Sequence, residues 1–466
     1  MVEGSAQMSP DRSWLISRLR RHVSELLRLA GPIIVSRMGI LVMITADTVM
    51  VGRYSARELA FQSIGTALII PVLLSFMGLI LGTIVLTSNH YGAEEYTNCG
   101  KVWRRAVPYA FVLGLVAAGI SLFGTTWLTL SGQSTVLARE GGAVMEATGY
   151  GLPAHLVFLA SAFFLDGIRR PKPAMVLMII ANILNIVLNW LFIYGHFGLS
   201  ANGAVGAAWA TTYARWFLAV GIVGYIWLMR DHEKFAVRVA PRGGWKDWAD
   251  QRNMGYAMGL SLGVESVAFA TLNMFAGWLG EDALAVYSIG LNVLAVCFMV
   301  AIGLSSAAAV RVGIAYGRKD WPDMMLAGWT GLGVTVCILG GISCLLFIMP
   351  EGIARFYSTD PKIIAATAPL IFFIGFVLVF DGGQATMSNI LRGRRDVWLP
   401  GVIQTFAFIG VLIPAGYLLS IRLELGAMGL FYGIVVAGAI SLGMLGTRFY
   451  VLGSHYGKGQ TRNEDR

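Results

Sequence analysis

Three carboxylates lie inside apolar stretches long enough to cross a bilayer: Asp47, Glu265 and Asp381. An ionised acid at the centre of a spanning helix opposes insertion by roughly 2.5–3.5 kcal/mol, so the three together oppose it by about 8–10 kcal/mol. Acids kept in such places usually face a pathway for ions or substrate. In a low-dielectric surrounding, one carboxylate cannot neutralise two cations at once, so any two cations that reach it must compete.

Asp47 stands in GPIIVSRMGILVMITADTVMVG, well after Pro32, a residue that lacks an amide donor and starts or kinks a helix. Its plainer reading is a structural acid, paired with Arg37 or capped by a neighbouring hydroxyl. In KPAMVLMIIANILNIVLNWLFIYG, Asn182, Asn185 and Asn189 recur at i, i+3 and i+7, one face of a helix. Amides in lipid need partners, and interhelical hydrogen bonding alone accounts for one Asn. If that face meets Asp47, carbonyl oxygens and a carboxylate form a site for a hard cation or a proton, to which Thr211 adds a hydroxyl. Glu265 and Asp381 both fall in the second half of the chain, and neither has a base in its own apolar run before the helix end. The bland reading of each is a hydrogen-bonded core acid. The functional one is a carboxylate whose charge a proton or sodium ion neutralises. Gly382 and Gly383 leave backbone accessible beside Asp381.

The elements that must hold these residues are membrane spans. The 466 residues are 56% hydrophobic and only 13% charged, unlike a soluble domain. Apolar runs near or above the ~20 residues that cross a hydrocarbon core recur along the chain. They predict an all-α polytopic membrane protein with twelve spans: 31–52, 59–88, 106–129, 142–165, 174–195, 203–229, 255–279, 284–312, 324–349, 363–391, 399–420 and 426–450. The Arg-rich opening has no uninterrupted apolar core or small-residue cleavage site, so no signal peptide is expected. Cys99, Cys297, Cys337 and Cys344 show no CxxC spacing, which points to neither a disulfide framework nor a structural metal. No Walker A motif, nucleophile elbow or HExxH is present, and His90, His155 and His196 are scattered near helix ends, so no enzyme chemistry or cofactor is expected.

The net charge of +9 is a matter of topology rather than of nucleic-acid binding. With both termini on one side, the opposite side holds only Arg53, Arg57, Arg139, Arg355, Lys362 and Arg422 of the 35 Lys and Arg, while Arg37 and Arg215 fall within spans. The positive-inside rule then makes both termini cytoplasmic. The clusters at 168–172 (IRRPK) and 391–396 (LRGRRD) are read as cytoplasmic anchors. Shifting the sequence by 225 residues aligns 59–92 with 284–317 without a gap, matching Ser63-Ile64-Gly65 to Ser288-Ile289-Gly290 and Tyr91-Gly92 to Tyr316-Gly317. Six spans are therefore repeated in parallel, a common transporter plan. The expected organisation is a cytoplasmic segment 1–30, an N-lobe 31–229, a cytoplasmic linker 230–254, a C-lobe 255–451 and a cytoplasmic tail 452–466.

These segments resemble the MATE (multidrug and toxic compound extrusion) family, in particular its NorM-like bacterial branch. The resemblance is carried by GP-x14-ADTVMVG at 31–52, the Asn-rich span followed by GAVGAAWAT, ExxAFA at 265–270, SIGLN with FM and RVG at 288–313, and D-x2-Q-x6-LRG-x2-D at 381–396. It implies two pseudo-symmetric six-helix lobes around a central cavity, in a multi-pass protein of the bacterial inner membrane. It further implies outward antiport of lipophilic or cationic small molecules against inward H⁺ or Na⁺, with no cofactor and with a monomer sufficient. By position Asp47, with Asn185, Asn189 and Thr211, matches an N-lobe ion or proton site, and Glu265 with Asp381 matches a C-lobe acidic pair for the coupling cation. Ala257 and Ala301 stand where the pattern has prolines, and Val377 where it often has an aromatic. The alternatives are a lipid-linked precursor flippase or metabolite exporter of the same superfamily, and, from another class, a membrane sensor or receptor.

Overall fold

In a computed structural model, which describes residues 12–240 and 244–464, the chain is helical throughout, with no strand among the described residues. Parts of the expected terminal segments and linker, residues 1–11, 241–243 and 465–466, lie outside the described residues. The first half comprises α1 (Arg12–Tyr54), α2 (Ala56–Ala67), α3 (Ile69–Ile80), α4 (Gly82–Gly92), α5 (Tyr96–Leu122), α6 (Gly124–Leu130), α7 (Thr135–Gly149), α8 (Leu152–Gly167), α9 (Lys172–Tyr194) and α10 (Gly203–Leu228). The second half has α11 (Ala249–Trp278), α12 (Glu281–Gly317), α13 (Trp321–Ile348), α14 (Pro350–Tyr357), α15 (Pro361–Gly393), α16 (Trp398–Thr405), α17 (Ile413–Tyr417) and α18 (Gly426–Glu464), with π-helical turns on either side of α17.

Ten described stretches are long and apolar enough to span a membrane, and α7 with α8, bent by 41°, make an eleventh. Pro153 beside the bend explains it, because its ring cannot continue the ladder. The expected twelfth span is α10, whose Arg215, with its Thr, Tyr and Trp, lowers its mean hydropathy but which packs as the hairpin partner of α9. The second span is made of α2, α3 and α4 in series. Its first break falls at Ala67, the residue whose carbonyl the ring of Pro71 displaces. With Ala257 and Ala301 in place of prolines, α11 and α12 run unbroken. Lipid is the natural solvent for side chains such as Ile183, Val220 and Leu228, which point outward well exposed.

The repeat is visible in three dimensions. A Cβ on Gly92 would sit 2.1 Å from the Ile314 carbonyl oxygen, and one on Gly317 would sit 2.0 Å from that of Asn89. Asn89 and Ile314 are themselves 225 residues apart. Likewise Gly78 meets Gly259 while Gly303 meets Ile34, and the same offset relates both pairs. Four glycines thus let two lobes, α1–α10 and α11–α18, touch backbone to backbone through pseudo-equivalent contacts. On the side of the termini the lobes share one apolar core, with Leu26, Ile84 and Phe158 of the first lobe packed in the same cluster as Leu304, Ile390 and Phe449 of the second. Farther from the termini each lobe has its own core, around Phe61 and Val144 in one and around Tyr287, Ile374 and Phe431 in the other. The result is two six-helix lobes, joined near the termini and separately packed beyond.

Ion pairs reinforce the join. Asp323 at the start of α13, 1% exposed, accepts hydrogen bonds from Arg21 (2.9 Å), Arg318 (2.7 Å) and Arg18 (3.3 Å), and His22 Nε2 lies 3.0 Å from it. Glu25 bonds Arg311 and lies 3.3 Å from Arg169. The first turns of α1 are thereby tied to the second lobe.

Candidate functional site

Within the first lobe, α1, α9 and α10 converge on Asp47, which is 6% exposed. Asn189 donates to Asp47 Oδ1 at 2.6 Å, Asn185 donates to the same oxygen at 3.1 Å, and the Thr211 hydroxyl donates to Oδ2. Asn185 Nδ2 also lies 3.1 Å from Thr211 Oγ1, and Asn189 donates to Asn185 Oδ1 at 3.2 Å. Asn185 and Asn189 are fully buried, and Asn189 Oδ1 has no partner. The cage therefore carries one carboxylate, amide groups able to turn either their N–H or their oxygen toward it, and a hydroxyl, which are ligands for a proton or a hard cation. Asn182, the third amide of that face, is not part of it: its Nδ2 donates to the carbonyls of Gly39 and Met178 and ties α9 to α1.

Arg37 does not pair with Asp47. Its guanidinium lies 3.8 Å from Asp166 at the end of α8 and 5.0 Å from the ring centroid of Phe163. Asp166, 3% exposed, is a further buried acid that a reading of span centres overlooks because it stands at a helix end. The charge acting on Asp47 from nearby is that of Arg215, one turn beyond Thr211 on α10.

In the second lobe, Asp381 of α15 is 4% exposed and accepts one hydrogen bond, from Gln384 Nε2 at 3.2 Å. Glu265 of α11 is half-buried, accepts no hydrogen bond from a described residue, and is close enough to Asp381 for the two charges to interact. Behind them lies a polar network absent from the sequence expectations. Gln404 Nε2 donates to Gln384 Oε1 at 3.1 Å, and Arg392 donates to Gln404 Oε1 at 2.7 Å. Arg392 is 5% exposed and also donates to Ser261 Oγ (3.1 Å) and Asn389 Oδ1 (3.3 Å). It is a constituent of the lobe's interior and not the solvated anchor expected of the LRGRRD cluster. The sequence carried a signal for it: Asp381, Gln384, Ser388 and Arg392 recur at i, i+3, i+7 and i+11, the same one-face pattern as the asparagines of α9. Among the described residues no cluster of three or more His, Cys, Asp or Glu is arranged to hold a metal ion.

The MatE family model matches this chain twice, over residues 32–191 and 257–418. The chain belongs to the MatE family. The two matched segments begin at residues separated by the repeat offset, one in each lobe. Members of this family are transporters, and this chain is a multi-pass membrane transporter of the MatE type. It is 34% identical to "Probable multidrug resistance protein NorM" of Caulobacter vibrioides, over 92% of this chain and 91% of that one. It is 31% identical to "Multidrug resistance protein PmpM" of Pseudomonas aeruginosa, over 90% and 89%. Among solved structures, the eukaryotic MATE transporter AtDTX14 superposes with a TM-score of 0.84 at 19% identity, covering 92% of this chain and 96% of that one. A multidrug resistance MATE family transporter in its outward-facing conformation gives 0.83 at 19% identity, over 94% and 98%. These likenesses show the MATE fold of two six-helix lobes.

Proposed function

We propose that this MatE chain exports lipophilic and cationic small molecules across a bacterial inner membrane by antiport with inward H⁺ or Na⁺. The observation that carries the reading is that each lobe buries acid whose nearest polar partners are neutral: the amides and hydroxyl around Asp47, and Gln384 beside Asp381. A cation in that setting is attracted strongly, and a second one competes for the same charge. A proton or sodium ion arriving from outside neutralises the acids and releases the organic cation, and its departure inward restores them. The names of the Caulobacter and Pseudomonas relatives support a drug-like cargo. The charge bias of the loops supports cytoplasmic termini, which would make the shared core of the two lobes the closed cytoplasmic side. Two complete lobes in one chain make a monomer sufficient, and the residues call for no cofactor and no nucleic acid.

A lipid-linked anionic cargo is the weaker reading. It would need guanidinium groups clear of acids, whereas Arg37 faces Asp166, the charge of Arg215 acts on Asp47, and Arg392 is directed at Gln404, Ser261 and Asn389. The test is ethidium movement in proteoliposomes under an imposed Na⁺ gradient and, separately, an imposed pH gradient. Exchange driven by one gradient and lost in Asp47→Asn and Asp381→Asn supports the proposal and names the ion. Wild-type protein inert under both gradients overturns it.

A further inference from the structure

We infer that Arg392 is a positioning residue for the C-lobe acid, setting through Gln404 and Gln384 which face of an amide Asp381 meets. The inference rests on the reading of Asp381 as a cation-exchanging acid. A primary amide can present either oxygen or N–H₂ after a half-turn, so a chain of glutamines has no inherent direction. A guanidinium removes that freedom because it only donates. Arg392 must meet Gln404 Oε1, which leaves Gln404 Nε2 for Gln384 Oε1 and Gln384 Nε2 for Asp381 Oδ1. Each contact is observed with the donor on the side this logic demands. The hydroxyls of Ser261 and Ser388 also donate to Gln404 Oε1, and that of Ser441 donates to Gln384 Oε1. Hydroxyls can exchange donor and acceptor roles, so they follow the polarity and do not impose it.

The relay carries the influence of a buried positive charge over a length of helix. Asp381 and Arg392 are about 16 Å apart along α15 at ~1.5 Å per residue. The consequence is local: Asp381 is met by an N–H, which favours the carboxylate, the form that attracts a cation. Reversed amides would offer it the Gln384 oxygen, which is compatible with a carboxyl O–H and repels a carboxylate. One charged group competes with this control. Glu265 on α11 interacts with Asp381 and with Arg392. On the remaining sides α18 brings the backbone of Gly438 to Asp381, and α12 and α13 bring Ala301 and Leu339 to Gly382 beside it.

The test uses full-length protein carrying Arg392→Met, Arg392→Lys or Gln404→Glu, each checked for monodispersity after purification. Gln404→Glu keeps an acceptor for Arg392 but supplies no N–H to Gln384, so it breaks the relay without orphaning the guanidinium. In proteoliposomes, Arg392→Met and Gln404→Glu are expected to move the half-saturating concentration of the driving cation about tenfold, the worth of one hydrogen bond to a charged group. Where H⁺ drives exchange the shift is downward and larger than the change in maximal rate, and Arg392→Lys, still donor-only, recovers most of it. In parallel, infrared spectra of purified protein are expected to gain a carboxylic-acid C=O band in Arg392→Met that disappears when Asp381→Asn is added. This second readout decides the inference even if no gradient drives exchange, in which case the transport reading fails by itself. An unchanged infrared band in both relay variants, or a loss of maximal rate with cation affinity intact, would overturn it.

Discussion

The two lobes descend from one repeated plan, yet they treat their acids differently. Asp47 is enclosed by three donors from α9 and α10, two amides and a hydroxyl, all within hydrogen-bonding reach. Asp381 has one amide, a neighbouring carboxylate in Glu265, and a guanidinium held two amides away. The contrast teaches that a repeat conserves helix placement more readily than chemistry. The seam glycines Gly92 and Gly317 keep pseudo-equivalent contacts, whereas the polar partners inside each lobe have diverged. A single caged acid suits all-or-none binding of one small cation. An acidic pair with few donors suits a site whose two charges are neutralised in steps.

The comparison can be broken most forcefully at Asp47. Asp47→Asn is nearly isosteric and is expected to lower gradient-driven exchange about 100-fold or more, the scale of deleting a buried charge from its partners, with membrane-inserted protein unchanged by immunoblot. Double-mutant cycles sharpen it next. Glu265→Gln with Asp381→Asn, read as apparent cation affinity, should show a coupling of about 0.5–3 kcal/mol, while Asp47→Asn with Asp381→Asn should be additive within about 0.5 kcal/mol. Additivity inside the C-lobe pair would dissolve the distinction drawn here.

Smaller effects distinguish cage from scaffold. Thr211→Val removes the donor to Asp47 Oδ2 and should shift the half-saturating cation concentration roughly tenfold. Asn182→Ala, which loses only the interhelical bond to Gly39 and a bond within α9 to Met178, should shift it less than about threefold and instead lower stability by about 1 kcal/mol, measured by thermal denaturation. Smallest of all, Arg139→Ala severs an exposed contact with Glu140, 2.6 Å in length, and should change stability by less than about 0.5 kcal/mol in the same assay.

Much of this was legible in the sequence. The spans follow from apolar run length, and the repeat follows from glycine-centred identities whose reason is now plain: at Gly78, Gly92, Gly303 and Gly317 a side chain would strike the other lobe. The spacing of Asn185 and Asn189 announced a polar face, and that face does meet Asp47. What escaped notice stands at helix ends. Arg392, Asp166 and Asp323 have the composition of solvated anchors, and only the packing of a neighbouring helix decides whether such a residue faces water or a core. Pairing choices were equally invisible: Arg37 lay on the helix of Asp47, but the acid it faces, Asp166, belongs to α8.

The central claim is competition between an organic cation and a coupling cation for the same buried charge. It is tested most directly by adding ethidium to purified protein in weakly buffered detergent solution, while following proton release with a pH dye and bound ²²Na⁺ by scintillation proximity. The account predicts that ethidium expels H⁺ or Na⁺ from the wild type, and that Asp47→Asn or Asp381→Asn diminishes the release. Saturable ethidium binding that displaces neither cation would contradict it.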